Sequence, residues 1–325
     1  MSVSLKEIAQ ALGVSVATVS RVASGQGVVR EETRLRVEEA MRSMGYAPNL
    51  VARSLKTRST RTVGILVPDI TESFFGGIIK SAVRTLEARG YGILLCDTDE
   101  SREKEAFYLE SLVRQRVDGV ILASLGADEG VFSRLRDASI AVTQIDTLST
   151  DTESAVLIDN RAAGVMGAEY LLSRGYRRIG VIVGSQREYT GRLRLAGTLT
   201  ACRRGGAEPT VREGDFKEAS GYTAALSLLD ETDPPDALFI HSSKMTYGAI
   251  KALRERGIRY PGDIALLGFD LPDPFQAMSP GVSSIVQPEV EIGATAAELL
   301  LWRIAGKPCM TRFLEPVLLE RESCR

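Results

Sequence analysis

The sequence predicts an α/β protein in which a small helical unit precedes two doubly wound parallel sheets. Two observations lead to this prediction. From position 62 onward short apolar runs alternate with amphipathic helical stretches, and this series occurs twice, with the second beginning after Asp159. The first 45 residues carry helical periodicity instead. At 325 residues the chain is also longer than the ~100 to 200 residues usual for one domain.

The first 45 residues predict three short helices. The sequence SLKE at Ser4–Glu7 fits a capping box, in which a serine and a glutamate satisfy each other's free backbone donors. Gly13 ends the first helix, and Ser15 can cap the second. The apolar residues predicted to pack between the helices are Leu5, Ile8, Ala9, Leu12, Val19, Val22, Leu35, Val37, Ala40, Met41 and Met44. Two helices joined by a tight glycine turn and braced by a third form a helix-turn-helix.

The rest of the chain predicts two similar subdomains. Strands of the first series are expected at TVGILV (62–67), YGILLC (91–96), GVILAS (119–124) and AVTQID (141–146). Strands of the second are expected at RIGVIV (178–183), DALFI (236–240), DIALLG (263–268) and VSSIV (282–286). Ligands of doubly wound sheets bind beyond the carboxyl ends of the strands. The cleft between the two subdomains is therefore the predicted place for a small molecule.

The sequence lacks the residues that several kinds of catalytic or metal site require. The four cysteines, Cys96, Cys202, Cys309 and Cys324, are far apart and form no C-x-x-C pair, which argues against zinc and gives no disulfide framework. The single histidine, His241, follows the apolar run ALFI, where a role at a strand end is favoured over catalysis. No glycine-rich phosphate motif follows the first strand. We expect no cofactor, no metal and no enzymatic activity.

Charge is unevenly distributed along the chain. Residues 1–61 carry ten Lys and Arg against five Asp and Glu, whereas the remainder carries 30 against 37. A basic head on an acidic body predicts a polyanionic partner for the head alone. The start MSVSLKEIAQ lacks the pattern of a signal peptide, and no apolar run reaches the ~18 residues of a membrane span, so we expect a cytoplasmic protein.

A cationic connector follows the helical unit. It includes NLVARSLKTR, from Asn49 to Arg58, and no acidic residue occurs between Asn49 and Arg61. Isolated helices shorter than ~12 to 15 residues are marginal in water. We expect this segment to be poorly helical on its own.

Long stretches of the chain resemble the lactose-repressor (LacI/GalR) family of bacterial transcription regulators. The resemblance rests on SLKEIAQALGVSVATVSRVASG, EETRLRVEEAMRSMGYAPNLVARSLKT, RTVGILVPDI, GRLRLAG, GDFKEASGY, YPGDIALLGFD and SSIVQP. It implies a helix-turn-helix DNA-binding domain (1–47), a hinge helix (48–61) and a periplasmic-binding-protein-like core (62–325). In the core, the N-subdomain would comprise about 62–160 and 289–316, and the C-subdomain about 161–288 and 317–325.

The resemblance assigns the second helix to the major groove. Val16 and Ala17 would contact groups such as the thymine methyl, and Arg21 could bond guanine O6 and N7 in bidentate fashion. For Arg21 the alternatives are a phosphate contact or a solvated helix face. Thr18 and Ser20 would contact phosphates, which position the protein. The implied DNA-binding set is Ser15, Val16, Ala17, Thr18, Ser20, Arg21, Asn49, Arg53, Ser54, Leu55 and Lys56.

In the hinge, Leu55 corresponds to the leucine that the family wedges between base pairs from the minor groove. Unstacking costs a few kcal/mol, which wider contact with the bent DNA offsets. The alternative is a leucine that packs on the neighbouring domain.

In the core, the resemblance implies that a small polar effector binds in the cleft. The implied contacts are Asp69, Phe74, Phe75, Ser124, Asp146, Arg194, Phe216, Ser242, Ser243, Asp270 and Gln287. Carboxylates accept from hydroxyls or amines, an arginine donates, and an aromatic ring offers a stacking face. For the three aspartates the alternative is a cap on the following helix, and for the three phenylalanines it is ordinary core packing.

One departure from sugar-responsive relatives concerns the ligand. Where they usually have Asn-Asp, this chain has Ser242-Ser243, followed by Lys244. The lysine could favour an anionic ligand, so sugars, sugar phosphates and related acids are the predicted effectors.

Together these features predict a DNA-binding regulator, most simply a repressor, controlled by that effector. The chain ends soon after RFLEPVLLE without a leucine-heptad tail, which favours a homodimer that reads a pseudo-palindromic operator. The rival is a solute-binding protein for transport, which shares a two-lobed architecture but would need an export signal and no helix-turn-helix.

Overall fold

The computed structural model separates the chain into two compact units, Met1–Thr60 and Arg61–Arg325. The residues it describes are 3–24, 27–46, 59–271 and 279–325.

The described part of the first unit contains three helices, α1 (Leu5–Leu12), α2 (Val16–Ser24) and α3 (Glu31–Ser43). The predicted capping box is confirmed, because the Ser4 backbone N donates to Glu7 Oε2 (2.7 Å) and the Glu7 backbone N donates to Ser4 Oγ (3.3 Å). Gly13 ends α1 at a φ of 66°. Ser15 caps α2, since its Oγ accepts from the Thr18 backbone N at 3.1 Å. The predicted helix-turn-helix is confirmed.

The small core of this unit is built mostly as predicted. Ile8, Val19 and Val37 are fully buried at its centre. The prediction that Leu35 packs inside was wrong, because 53% of this residue is exposed. At roughly 100° per residue, Leu35 lies about 160° around α3 from Val37, so it faces the opposite side.

The described part of the second unit contains two six-stranded sheets. Their strands are β1 (Thr62–Val67), β2 (Gly92–Asp97), β3 (Gly119–Leu122), β4 (Ala141–Ile145), β5 (Ser154–Ile158), β6 (Ile179–Val183), β7 (Thr210–Glu213), β8 (Ala237–Ile240), β9 (Ala265–Phe269), β10 (Ser283–Val286), β11 (Thr311–Leu314) and β12 (Val317–Leu319). The first sheet has the order β11-β5-β4-β3-β1-β2 and is parallel throughout. The second has the order β12-β10-β9-β8-β6-β7 and is parallel except for β12. The predicted α/β class is confirmed.

Helices connect the parallel strands and cover the sheets. They are α4 (Ser73–Glu87), α5 (Arg102–Gln115), α6 (Glu129–Asp137), α7 (Asn160–Ser173), α8 (Tyr189–Arg204), α9 (Glu218–Leu229), α10 (Ser243–Glu255) and α11 (Glu289–Ile304), with a short 3₁₀ helix at Glu322–Cys324. The closest helix pairs are α7 with α8, α9 with α10, and α4 with α11. The chain passes between the sheets after β5, after β10 and after β11. These crossings link the N-subdomain, around the first sheet, to the C-subdomain, around the second.

Two glycines allow α7 and α8 to meet at their backbones. A Cβ on Gly197 would lie 2.0 Å from the Arg161 carbonyl oxygen, and a Cβ on Gly164 would lie 2.1 Å from the Arg194 carbonyl oxygen. Backbone atoms cannot move aside without separating the helices. This contact therefore fixes the position of α8, which carries Arg194.

We expect Gly197→Ala to lower the free energy of unfolding by about 1–3 kcal/mol, since overpacking a close contact forces backbone shifts. Urea unfolding followed by circular dichroism measures the change. Gly76→Ala is the matched control, because this helical glycine in α4 has open space around its Cβ position and gains helix propensity. Equal stability of the Gly197 variant and the wild type would contradict the close approach of the two helices.

Candidate effector cleft and DNA-reading helix

The predicted effector residues of both subdomains follow the carboxyl ends of strands. In the N-subdomain, Asp69 follows β1, Ser124 follows β3 and Asp146 follows β4. In the C-subdomain, Phe216 follows β7, Ser242 and Ser243 follow β8, Asp270 follows β9 and Gln287 follows β10. Four of the residues lie on helices, namely Phe74 and Phe75 in the first turn of α4, Arg194 on α8, and Ser243 as the first residue of α10.

Polar contacts join the strand ends of the two subdomains. Lys244 Nζ lies 2.6 Å from Asp69 Oδ2 and 3.5 Å from Glu100 Oε1. Ser243 Oγ donates to Glu72 Oε1 at 3.3 Å. The two sets of strand ends therefore face each other across one cleft. Lys244, which the sequence suggested could favour an anionic ligand, is paired with these two carboxylates.

Arg194 is held rigidly at the C-subdomain side of this cleft. It is only 4% exposed, its Nε donates to Asn160 Oδ1 (2.8 Å), and its Nη1 donates to the His241 carbonyl oxygen (2.8 Å). The guanidinium carbon lies 3.8 Å from the centre of the Phe269 ring. Its orientation is thus fixed before any ligand arrives.

Asp270 is held by Gln287, which donates to it from the backbone N (2.9 Å) and from Nε2 (2.6 Å). Burial raises the pKa of the Asp270 carboxyl to about 6, although the Arg194 charge opposes the shift. Asp69 accepts from the Thr71 backbone N at 2.8 Å and from Lys244. Asp69 does not make the helix cap that was the alternative to ligand contact, because the cap position of α4 is Glu72. For Asp270 the residues that follow, 272–278, lie outside the described residues.

Asp146 is half-buried, and among the described residues its carboxylate has no hydrogen-bond partner. Burial raises the pKa of this carboxyl, and the Arg194 charge again opposes the shift. Asp146, Phe216 and Asp270 adopt positive φ angles of 63°, 66° and 50°. Such backbone angles in residues other than glycine are uncommon and concentrate at ligand sites.

The aromatic residues divide into two groups. Phe216 lies so close to the end of β6 that a Cβ on Gly184 would lie 1.9 Å from its Cζ. Phe74 and Phe75 are 6% and 4% exposed, their ring centres lie 5.1 Å apart, and both belong to the hydrophobic core. Core packing was the alternative to ligand contact for this pair.

Two of the serines have local partners. Ser124 Oγ donates to Glu105 Oε1 (3.1 Å) and accepts from the backbone N of Ala127 (2.8 Å). Ser242 Oγ accepts from the Met245 backbone N (3.2 Å) and so caps α10. Both hydroxyls stabilise the loops that border the cleft.

Sequence reasoning missed several polar residues of the cleft, namely Glu72, Glu100, Asn160 and Glu188, and it did not foresee that the His241 carbonyl holds Arg194. A signal existed for Glu72, which stands three positions after Asp69 in the same loop. His241 itself is fully buried, and its Nε2 lies 3.2 Å from Thr198 Oγ1. Burial, with a smaller contribution from the Arg194 charge, lowers the pKa of His241 to about 3.

Glu72 gives the cleft a pH-dependent contribution to stability. Burial and the charges of Asp146 and Asp270 raise its pKa from 4.5 to about 7, against the opposing charge of Lys244. A carboxyl group whose pKa rises on folding leaves the free energy of unfolding unchanged below its unfolded pKa. Above its folded pKa it lowers the free energy of unfolding by the full amount. We expect Glu72→Gln, relative to wild type, to gain about 1–2 kcal/mol of stability as pH rises from 4.5 to 8.

Chemical unfolding of both proteins between pH 4 and pH 8 measures the difference. At pH 4 both side chains are neutral, which supplies the internal reference, and the contribution of His241 cancels because both proteins contain it. Parallel stability curves would contradict the raised pKa.

The exposed face of α2 carries the predicted DNA-reading residues. Val16 is 46% exposed, and Ala17 and Arg21 are exposed as well. Thr18 and Ser20 are half-buried, and the Ser15 and Thr18 hydroxyl oxygens lie 2.8 Å apart. The predicted hinge residues Asn49, Arg53, Ser54, Leu55 and Lys56 lie outside the described residues.

Within the described ranges, no cluster of His, Cys, Asp and Glu is arranged to hold a metal ion. No helix in the described part of the chain is both long and apolar enough to cross a lipid bilayer.

Two family models match the chain. Bacterial regulatory proteins of the lacI family match residues 4–49, and a periplasmic binding protein-like domain matches residues 168–324. These ranges contain the helix-turn-helix and most of the C-subdomain.

Individual proteins match nearly the whole chain. The HTH-type transcriptional repressor PurR of Edwardsiella ictaluri (strain 93-146) is 34% identical over 327 residues, which span 98% of this chain and 96% of that protein. A lac repressor dimer bound to operator and the anti-inducer ONPF is similar in structure, with a TM-score of 0.88, 25% identity, and coverage of 100% of this chain and 99% of that chain. A complex of the transcriptional regulator CelR with cellobiose has a TM-score of 0.75, 32% identity and 99% coverage of both chains. The helix-turn-helix, the two parallel-rich sheets and a relative of this identity along almost the full length show that the chain belongs to the lacI family of bacterial DNA-binding transcriptional regulators.

Proposed function

We propose that this regulator is a homodimeric repressor whose affinity for its operator is set by a small polar effector in the cleft. The observation that carries this proposal is the convergence of Arg194, Asp146 and Asp270 at strand ends that the Lys244–Asp69 pair joins across the subdomains. The CelR complex contains cellobiose, and the lac repressor dimer contains an anti-inducer, which supports a ligand of similar size here. The protein would act in the cytoplasm, at the nucleoid.

The chain would consist of a DNA-binding domain (1–47), a hinge (48–61) and an effector-binding core (62–325). In the head, Val16, Ala17 and Arg21 would read bases in the major groove, while Ser15, Thr18 and Ser20 would contact the backbone. Their exposure on α2, together with the family model over 4–49, supports this division. Two heads of a dimer would read two halves of a pseudo-palindromic site.

The hinge would enter the minor groove, where Leu55 would wedge between base pairs while Asn49, Arg53, Ser54 and Lys56 contact the backbone. We expect Leu55→Ala to weaken operator binding at least about tenfold and to reduce DNA bending, because the kink that widens the protein–DNA contact is lost. Binding curves and a bending assay on the same operator measure both effects. Nonspecific affinity is the control, since the leucine carries no charge. Unchanged bending together with a less stable protein would instead favour packing of Leu55 on the neighbouring domain.

Ligand binding would shift the angle between the subdomains. The ends of the cleft already touch through Lys244, Asp69, Glu72 and Ser243, so a ligand must either strengthen or replace these contacts. A changed angle would decide whether the paired hinges can fold on DNA. Two sites coupled through one such two-state element constitute allostery.

A solute-binding protein for transport would share the two-lobed core. It has no need of a helix-turn-helix, which this chain has within its first 45 residues. The similar proteins with known roles are transcriptional repressors, and we propose no catalytic activity.

Selection of binding sites from random double-stranded DNA, with and without a panel of metabolites, tests this function. We expect one enriched pseudo-palindrome, whose recovery changes when the effector is present. If the recovered DNA shares no sequence pattern, the protein does not bind DNA sequence-specifically and the proposed function is wrong. A control protein with Arg21, Leu55 and Lys56 replaced by alanine should enrich no site.

A further inference from the structure

The cleft contains acidic side chains from four separate loops. The charges that act on Arg194 are those of Asp270, Asp146, Glu72 and Glu188. The charges of Asp146 and Asp270 also act on Glu72, and that of Asp146 acts on Glu188. The four carboxylates therefore form one electrostatic group at the strand ends of both subdomains.

The nearby cations are mostly paired elsewhere. Lys244 pairs with Asp69 and Glu100, although its charge also reaches Glu72. Lys217 Nζ lies 3.3 Å from Glu100 Oε2. Arg102 acts on one member of the acidic group, Glu188.

In the described part of the chain, none of the four carboxylates makes an ion pair with a lysine or arginine. All four carboxylates act on the charge of Arg194. Uncompensated carboxylates in a partly dry cleft favour either a bound proton or a bound cation. Burial is the main cause of the raised pKa values of Glu72, Asp146 and Asp270, and the charges of neighbouring carboxylates add to it for Glu72 and Asp270.

A second observation concerns polar atoms of the cleft that lack hydrogen-bond partners. Only 4% of Arg194 is exposed, and among the described residues its Nη2 has no hydrogen-bond partner while Nε and Nη1 do. Asp146, whose charge acts on Arg194, also lacks a hydrogen-bond partner there. The cleft therefore presents a free guanidinium N–H group beside free carboxylate oxygens. A complementary ligand has an acceptor for the first and a charged donor for the second.

We propose that the effector is a small hydroxylated cation, such as an amino sugar or another polyol that bears a protonated nitrogen. This inference rests on the function proposed above and names the class of its ligand. A hydroxyl oxygen would accept from Arg194 Nη2, and the protonated nitrogen would lie against Asp146 and Glu188. Phe216 would cover the apolar face of the carbon skeleton. A phosphorylated sugar would bring further negative charge to the acidic group.

The test uses the full-length protein, its selected operator carrying a fluorescent label, and metabolites extracted from bacterial cells. Ion exchange separates the extract into cationic, neutral and anionic fractions, and fluorescence anisotropy reports operator binding in each. We expect the cationic fraction to change the operator affinity. Activity confined to the neutral or the anionic fraction overturns the proposed ligand class. If operator binding is intact and no fraction changes it, effector control itself is wrong, and the proposed function fails with it.

Two variants test whether the protonated nitrogen of the ligand contacts Asp146 and Glu188. Asp146→Asn suits the positive φ at this position, and Glu188→Gln changes an exposed residue, so at least one variant should fold. Each should raise the amount of cationic fraction needed for half the response by at least about tenfold, since one partner of a close charge pair is lost. Asp137→Asn, at the exposed end of α6, is the matched control and should leave the response unchanged. A cationic response that both cleft variants retain in full would overturn the assignment to these residues.

Discussion

Arg194→Ala should lower the free energy of unfolding of the core by about 3 kcal/mol and abolish the response to the effector. The substitution leaves Asn160 Oδ1 and the His241 carbonyl oxygen, both in buried residues, without their hydrogen-bond donor. An unsatisfied buried acceptor costs ~1–3 kcal/mol, and loss of the contact with the Phe269 ring adds to this.

Urea unfolding measures the stability, and operator release measures the response. Arg204→Ala is the control on the same helix, since Arg204 pairs with Glu169 on the surface and contributes at most ~1 kcal/mol. Arg194→Lys provides a second variant if alanine prevents folding, because it keeps the charge but lacks the planar fork of donors. A normal effector response in Arg194→Lys would show that the fixed guanidinium is not needed.

Arg21→Ala should weaken operator binding by about 10- to 100-fold, because a bidentate contact to guanine contributes ~1–3 kcal/mol of discrimination. If Arg21 reads a guanine, replacing that guanine in the operator should remove the difference in affinity between the wild type and Arg21→Ala. A phosphate contact instead predicts uniform weakening on all DNA and a salt slope reduced by about 0.9.

Binding curves on the operator, on its single-base variants and on random DNA at several salt concentrations separate these outcomes. The control is Arg42→Ala in the same unit, since Arg42 pairs with Glu39 on α3. If Arg21→Ala binds operator as tightly as wild type, the side chain belongs to a solvated helix face.

Sequence patterns predicted eight strands because most of them are apolar runs, including β2 at the edge of the first sheet. β1 was predicted with its observed bounds, and the seven other predicted strands were each found within two residues at either end. β7 was missed because this edge strand, TVRE, has only one apolar residue. β5 was missed although it is fully buried, since its run SAVLI is short and follows a polar stretch without a helix between them.

The cleft was predictable in position but only partly in chemistry. Parallel strands place their carboxyl ends at one edge of each sheet, so the sequence was sufficient to bring Asp69, Asp146 and Asp270 to the same cleft. The partner of Lys244 was not predictable, because Asp69 lies 175 positions away and on the other subdomain. In the sequence, Glu72 and Glu188 cannot be distinguished from ordinary charged residues of loops. Only the fold brings their charges near Arg194.

The central claim is that the cleft and the DNA-binding head are coupled, and coupling between two binding sites is reciprocal. The most direct measurement is the Kd of the effector with and without saturating operator, alongside the Kd of the operator with and without saturating effector. We predict that both constants change by the same factor, of at least about fivefold. An effector Kd that is the same with and without operator would contradict control of DNA binding from the cleft.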